Sequence, residues 1–429
     1  MRFLGKIQNW YNKTFDSDWK RFWLDSFLGT GFIFFVIFFV LELFTIFNFL
    51  DPIGDALDDM EITDLVFSRL REEPKADDHI LIVNIARLPR RGIAQQIKII
   101  NKYKPKVIGL DVFFEQPFED GILGDTLLQE ALSEVENLVM VSKVADYQEA
   151  TDSYNQLEHS HLKFRQFAST GHSNLTTEAS RQEEYKSCRF FMTTPRVKGK
   201  TEPAFAIKIA QIYDQNAVDK FLSRNNEKEF INFKGNALGG TGGFGNKFYA
   251  LDTQDVLNEN FVPDIVEGKI VIFGFMGEDF NDVTTVEDKF YTPLNPQYAG
   301  RAFPDMFGVV IHANILSMIL NGDYINEMGT ASGVVLSVFL CFFNVALFSW
   351  IYWRYPDWYD GVTKTIQLFE TILLLLLIVM FFHWFNYKIN LTLGIVSVLL
   401  AGDILEFYYG VIKNILSSRN RRQLFKRIN

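Results

Sequence analysis

The sequence predicts an α/β outer domain with a central, mostly parallel sheet, attached to a four-helix transmembrane bundle. Three observations predict it. Four apolar stretches, 27–50, 329–353, 365–385 and 389–412, are each roughly 20 residues long, enough to cross about 30 Å of hydrocarbon. Between the first and second lies a long mixed block, 51–328, whereas the other connections are short. Within that block, apolar runs alternate with stretches of helical periodicity, the pattern of parallel strands joined by crossover helices.

The N-terminal segment, 1–26, carries Arg2, Lys6, Lys13, Lys20 and Arg21 against Asp16, Asp18 and Asp25. The first apolar stretch follows. Its core is too long for a cleaved signal peptide and no small-residue cleavage site comes after it, so it reads as an uncleaved anchor. Beyond it the chain turns acidic, with Asp51, Asp55, Asp58, Asp59 and Glu61. The tail, 413–429, carries Lys413, Arg419, Arg421, Arg422, Lys426 and Arg427 and no acid. Lys and Arg near span ends mark the cytoplasmic side. Both termini and the loop 354–364 are therefore expected in the cytoplasm, with the block 51–328 outside. The basic tail is expected to lie on anionic membrane lipid.

Inside the block, His79–Ala86, Lys106–Val112, Leu138–Val144 and Gly268–Phe275 read as buried strands. Ile93–Tyr103 has helical spacing and is stopped by Pro105. Gly121–Asn137 reads as an amphipathic helix with Ile122, Leu127, Leu128 and Leu132 on one side. The polar stretch from Asp146 to Glu184 reads as loop. Gly308–Leu320 reads as a helix leading towards the second span.

The net charge of -10 is concentrated in the block, because both tails are basic. An acidic face does not suit nucleic acid, which needs a basic groove. The two cysteines, Cys188 in the block and Cys341 inside a span, are not expected to pair. The domain must hold together by its core.

Several segments together resemble the type-two CHASE domain, an extracellular sensory module of bacterial receptors. They are Lys104–Glu115 (KPKVIGLDVFFE), the acidic helix around 125–132, Ile231–Gly235 (INFKG), Asp252–Leu257 (DTQDVL), Gly268–Gly274 (GKIVIFG), Asp282, Thr292-Pro293 and Gly308–Leu316 (GVVIHANIL). The resemblance covers roughly 62–324, and one span before with three after also fits it. Two features depart. Asn84 stands where the family's first strand usually carries Asp, and Leu88–Arg91 (LPRR) replaces a Trp-Pro-rich turn. Family members commonly continue into a cyclase, kinase or phosphodiesterase, whereas here only the basic tail follows. The resemblance implies a sensory protein of the bacterial cytoplasmic membrane.

Open parallel sheets place ligands past the C-terminal ends of their strands. Asp111 and Glu115 follow one predicted strand, and Asp279 and Asp282 follow another; these are the ligand-binding candidates. The bland reading has Asp111 capping local backbone. Glu287 and Asp288 extend the second loop, but the spacing of a calcium-binding EF-hand is absent. Gly240, Gly242 and Gly245 match G-x-G-x-x-G, yet no helix follows, so a flexible loop is favoured. His159, His161 and His172 share a polar stretch and read as a solvated loop, not a metal site. No nucleophile motif surrounds Cys188. His312 and Asn314, on the helix towards the second span, are candidates for signal coupling. Glu42, Glu370, Asp403 and Glu406 fall within spans. Asp403 has no basic partner within the predicted spans, and polar glue or helix docking is favoured over a proton path. Gly329 and Gly333 would allow close helix approach.

The functional expectation is a non-enzymatic sensor or scaffold, without metal or cofactor. It would bind a ligand or envelope component and signal through a separate membrane or cytoplasmic partner protein, as a single chain or as a homo-oligomer. The competing expectation is a non-catalytic subunit of an envelope transport, channel or secretion complex that uses the intramembrane acids.

Overall fold

The computed structural model describes residues 18–46, 63–117, 120–176, 187–237, 247–282, 284–295 and 303–413. The chain forms two compact units, Asp58–Ile325 and the flanking remainder. Helix α1 (Asp18–Ile46) belongs to the second unit.

The central unit is built on β1 (Asp77–Asn84), α2 (Arg90–Lys102), β2 (Val107–Leu110), α3 (Gly121–Ser133) and β3 (Leu138–Gln148). There follow β4 (Ser153–His159), α4 (Leu162–Arg165), β5 (Ser169–His172) and β6 (Leu175–Thr176). Next are β7 (Phe190–Met192), β8 (Arg196–Val197), β9 (Lys200–Thr201), α5 (Phe205–Tyr213), α6 (Gln215–Leu222) and β10 (Lys228–Phe230). The unit closes with β11 (Phe248–Leu251), α7 (Thr253–Leu257), β12 (Ile270–Gly274), β13 (Lys289–Phe290), β14 (Met306–Phe307) and α8 (Gly308–Asn321).

The sheet is mostly parallel. Its parallel core runs β11-β1-β12-β2-β3-β5. Ile82 pairs with Ala250 on one side and Ile272 on the other; Ile108 pairs with Val271 and Leu138. Such strands are covered on both faces, which is why they read as continuous apolar runs instead of alternating ones. Leu81, Val83, Leu110, Met140 and Phe273 form a buried core with Ile97 and Ile100 of α2 and Leu128 and Leu132 of α3. Helices α5 and α8 pack against the sheet and each other. Glycines set how closely they approach. A Cβ on Gly109 would lie 2.6 Å from Ile209 Cδ1, and one on Gly274 2.6 Å from Val309 Cβ.

Two expectations fail here. The stretch after Asp146 is not loop: it holds the end of β3, all of β4, α4, β5 and β6, while 177–186 lie outside the described residues. Strand β3 continues to Gln148 and pairs antiparallel with β4, Val144 opposite Leu157 and Tyr147 opposite Tyr154. Its edge is held by backbone bonds, with no continuous apolar run to betray it. Ile122 does not face the core either and is 73% exposed. It lies six residues from Leu128, about 120° round the helix. The buried stripe of α3 passes through Gly124, Asp125, Leu128, Ala131 and Leu132.

The second unit contains α1, α9 (Thr330–Arg354), α10 (Tyr359–Phe385) and α11 (Thr392–Phe407). Four segments are long and apolar enough to cross a membrane: Phe22–Val40, Thr330–Arg354, Pro356–Phe385 and Thr392–Gly410. Strands β15 (Asn326–Glu327) and β16 (Tyr387–Lys388) pair in parallel. Gly333 permits close approach, since a Cβ there would lie 2.6 Å from the Asn390 carbonyl oxygen. Asp403 does have a basic partner. Helix α10 begins at Tyr359, before the predicted span, and so carries Lys364, whose Nζ lies 2.5 Å from Asp403 Oδ1. Glu370 is half-buried and Glu406 exposed. The Glu42 side chain, the glycine motif 240–245 and the tail 414–429 lie outside the described residues.

Candidate functional site

Asp111 leaves the C-terminal end of β2, where its N–H donates to the Phe273 carbonyl at 2.8 Å. Its Oδ2 lies 3.9 Å from His312 Nε2 on α8. The buried His312 ring meets Phe205 of α5 edge-on, with centroids 5.4 Å apart. Asp288 completes the group. Its carbonyl accepts from Gly308 N–H at 2.9 Å, and its carboxylate oxygens lie 3.1 and 3.2 Å from the place a Gly308 Cβ would take. The Asp288 carboxylate thus lies near the N-terminal end of α8, where negative charge is favoured. His172, at the end of β5, is buried as well, so it is not part of a solvated loop. His161 is exposed and its ring accepts from Lys163 N–H at the start of α4.

Burial sets the charges. It pushes the Asp111 carboxyl up to about 7. It pushes Asp288 up to about 7 as well, aided by Asp111 and Glu287. Asp288 is open to solvent, which screens its share, so Asp111 dominates. Burial holds His312 and His172 down to about 4. Asp111 and His312 thus face each other as neutral groups in weak acid. An acid raised by folding stabilises the fold below its unfolded value, near 4, and loses that contribution as pH rises through about 7. A histidine depressed by folding acts oppositely: its contribution is present above about 6.5 and is lost as pH falls to about 4. The two slopes offset each other between these limits. His172 adds a further rising contribution in every variant, so relative to the unaltered protein Asp111→Asn is expected to make stability rise more steeply with pH over this window, and His312→Gln to make it rise less steeply or fall. Denaturant midpoints at pH 4.5 and 6.5 (about 2 units apart) measure both; parallel profiles in the two variants contradict the assignment.

The other loops at this edge are closed by polar ties. Asn84, at the end of β1, donates from Nδ2 to Asp252 Oδ1 at 3.0 Å and to the Gly277 carbonyl at 3.2 Å. Its Oδ1 accepts from the N–H groups of Ala86 and Met276, each at 2.9 Å. Asp252 also accepts from Phe280 N–H at 3.1 Å and forms a capping box with Asp255 on α7. The position departing from the family pattern is thus a neutral amide suited to both donors and acceptors. Arg87 bridges Glu278 and Glu287. Among the sequence-predicted candidates, the structure brings Asp111 to His312 but leaves the rest apart. Glu115 is exposed after β2. Asp279 accepts from Asn281 N–H in its own turn. Asp282 holds Thr284 and Thr285, whose hydroxyls keep it well below the usual carboxylate range. Sequence reasoning missed the contribution of His172, whose strand is four residues of STGH without apolar pattern.

Helix α8 is buried from Gly308 to Ile319. Its polar side chains fasten separate parts of the domain. Asn314 accepts from Lys234 N–H at 2.9 Å and donates to the Gly235 carbonyl at 3.0 Å. Ser317 donates to Asp77 Oδ2 at 2.6 Å. The helix ends at Gly322, left-handed with φ 64. Beyond it, Asp323 pairs with Lys234 at 2.5 Å, and Arg224 Nη2 donates to the Ile325 carbonyl at 3.1 Å. Arg224 also covers the Tyr324 ring at 4.7 Å and is neutralised by the buried Glu229 at 2.6 Å.

Among the described residues no three His, Cys, Asp or Glu gather as metal ligands. Burial pushes the Cys188 thiol up to about 12, which removes its nucleophilic form at neutral pH. Comparison with known proteins gives one match, the CHASE2 domain family, over residues 33–351. No curated protein and no solved structure matches the chain. With the match spanning more than half of the sequence, and apolar helices before and after the sheet unit, the chain belongs to the CHASE2 domain family of extracellular sensory domains.

Proposed function

We propose that the chain is a membrane-anchored sensor or scaffold. Its CHASE2 unit binds a ligand or envelope component outside the cytoplasm, and the membrane helices pass the resulting state to a separate partner protein. One observation carries this reading. Helix α8 is buried along its length, its polar side chains reach three parts of the domain, and only residues 322–329 separate its end from α9. A short tied connection transmits displacement that a long flexible one absorbs. The chain itself catalyses nothing in this reading. The Asp111–His312 pair presents no activated nucleophile.

The same reading places the protein in the bacterial cytoplasmic membrane with both termini inside, which the basic tails support. A reporter fused after Asn429 is expected to score as cytoplasmic; an external score overturns that topology. Purification in gentle detergent followed by mass spectrometry is expected to return a stoichiometric partner bearing a cytoplasmic output domain. Recovery of the chain alone, in membranes where it is active, contradicts the partner.

A second reading, a subunit of a transport, channel or secretion complex, is favoured by the Lys364–Asp403 pair and the nearby exposed Glu406. Charged groups in spans are costly and commonly functional. Loss of ion flux in Asp403→Asn would support it over the sensor.

A further inference from the structure

A cleft of about 730 Å³ opens on the central unit, away from the Asp111 edge. It lies between the β3–β4 hairpin and strands β7 and β10. Its volume is in the range of roughly 300–1,000 Å³ usual for small-molecule sites. Its apolar part is aromatic. Tyr147 and Tyr154 face each other across the hairpin with centroids 5.2 Å apart, and the buried Phe190 and Phe221 also line it. Charges of both signs stand round these rings. Asp152 and Glu227 are exposed carboxylates, and Lys228 and Arg196 are exposed cations. Among the described residues none of the four is in an ion pair: Asp152 accepts only from the Tyr147 hydroxyl at 2.7 Å, and the Lys228 ammonium lies 4.5 Å over Phe190. Unpaired charges of both signs beside aromatic faces suit a ligand that carries both an ammonium and a carboxylate on an apolar body. A neutral glycan would use the rings and leave the charges without partners.

The cleft also reaches the domain's exit. Glu229 lines it and is the ion-pair partner of Arg224, whose other contacts are the Ile325 carbonyl and the Tyr324 ring. Phe221 lines it too and lies 5.5 Å from the same Tyr324 ring. One side chain of the cleft, Phe221, therefore touches Tyr324 directly, and a second, Glu229, reaches residues 324–325 through Arg224.

We propose that this cleft is the ligand site of the domain, that it takes a short peptide with free termini, and that its occupancy is read at Tyr324 and Ile325 through Glu229, Arg224 and Phe221. The proposal rests on the sensor reading and adds the site, the ligand class and the route.

The test uses the full chain in nanodiscs and an equimolar set of Gly-Xaa-Gly tripeptides, with Phe, Tyr, Leu, Lys or Glu in the middle. The same set acetylated and amidated, and chitotriose as a neutral glycan, are the controls. At least one free peptide is expected to bind, with its blocked form weaker by about tenfold or more through loss of charge-assisted bonds. Asp152→Asn with Lys228→Met, both at exposed positions, should weaken the free peptide by a similar factor and leave the fold intact. Bound peptide should slow hydrogen exchange at residues 324–325, and Arg224→Gln should abolish that slowing while binding persists. No binding by any free peptide, equal binding of the blocked set, or tighter binding of chitotriose overturns the proposal. A partner response that survives in the Asp152→Asn, Lys228→Met protein overturns the site but leaves the sensor reading standing. Binding and protection without any partner response leave the site and remove the sensor reading.

Discussion

Asp125→Ala is expected to destabilise the central unit by about 3–5 kcal/mol, the range for breaking a buried ion pair from one side. The Asp125 side chain is 0% exposed and that of Arg90 5%, with Arg90 Nη1 2.6 Å from Asp125 Oδ1. Lys163 approaches the other oxygen at 3.5 Å. Arg90 also donates to the Gln116 carbonyl and meets the faces of Phe164 and Phe114, at 5.1 and 5.8 Å from its guanidinium carbon. Removing the carboxylate takes the paired counter-charge away from a buried guanidinium. The pair also joins the first turn of α2 to α3 and to the loop after β2, so its loss loosens both helices over one face of the sheet. Replacing both partners by apolar residues of similar size, Arg90→Met with Asp125→Leu, should restore most of the stability, because desolvation of the two charges then vanishes along with their attraction. Urea unfolding of the intact protein in detergent, read by fluorescence, measures both effects. A single-variant loss below about 1 kcal/mol would show the pair to be effectively solvated.

That pair also marks the limits of reading this chain from its residues. The four central strands were legible because a parallel sheet covered on both faces needs long apolar runs, as in HILIVNIA and GKIVIFG. The spans were legible for the same reason of continuous apolarity. Asp125 was not, since a carboxylate on an amphipathic helix looks like a solvent position until Arg90, 35 residues earlier, is placed over it. Strands β4, β5 and β11 were missed because short or two-sided polar strands are specified by backbone pairing and neighbours, not by their own pattern. At the candidate site, the position of Asp111 past a strand end followed from topology. Its approach to His312 did not, because that contact depends on how α8 lies on the sheet, where Gly274 leaves room for Val309. Lys364 escaped notice because helix α10 starts before its apolar stretch begins. The peptide cleft has no sequence signature: its lining comes from the hairpin, from strands β7 and β10 and from α6.

The central claim is that α8 carries the state of the CHASE2 unit to the membrane helices. Ties by His312, Asn314 and Ser317 hold α8 to the sheet unit, and Gly322 stops it with Asp323 N–H bonded to the Met318 carbonyl at 3.1 Å. An effector can bias the bundle through this helix only if the linkage is stiff enough to have discrete arrangements that both ends sense. A flexible Gly-Ser insertion of about ten residues between Ile325 and Asn326, beyond both the α8 cap and the ties at residues 323–325, adds tens of ångströms of slack when extended. It should leave α8, the sheet and the membrane helices folded, since no side-chain contact of α8 is removed. The most direct measurement is partner activity in membranes carrying this insertion, with and without the stimulus to which the unaltered protein responds. The account predicts normal insertion and partner binding with the stimulus response abolished. A response unchanged by the insertion would reduce α8 to a tether and contradict the account.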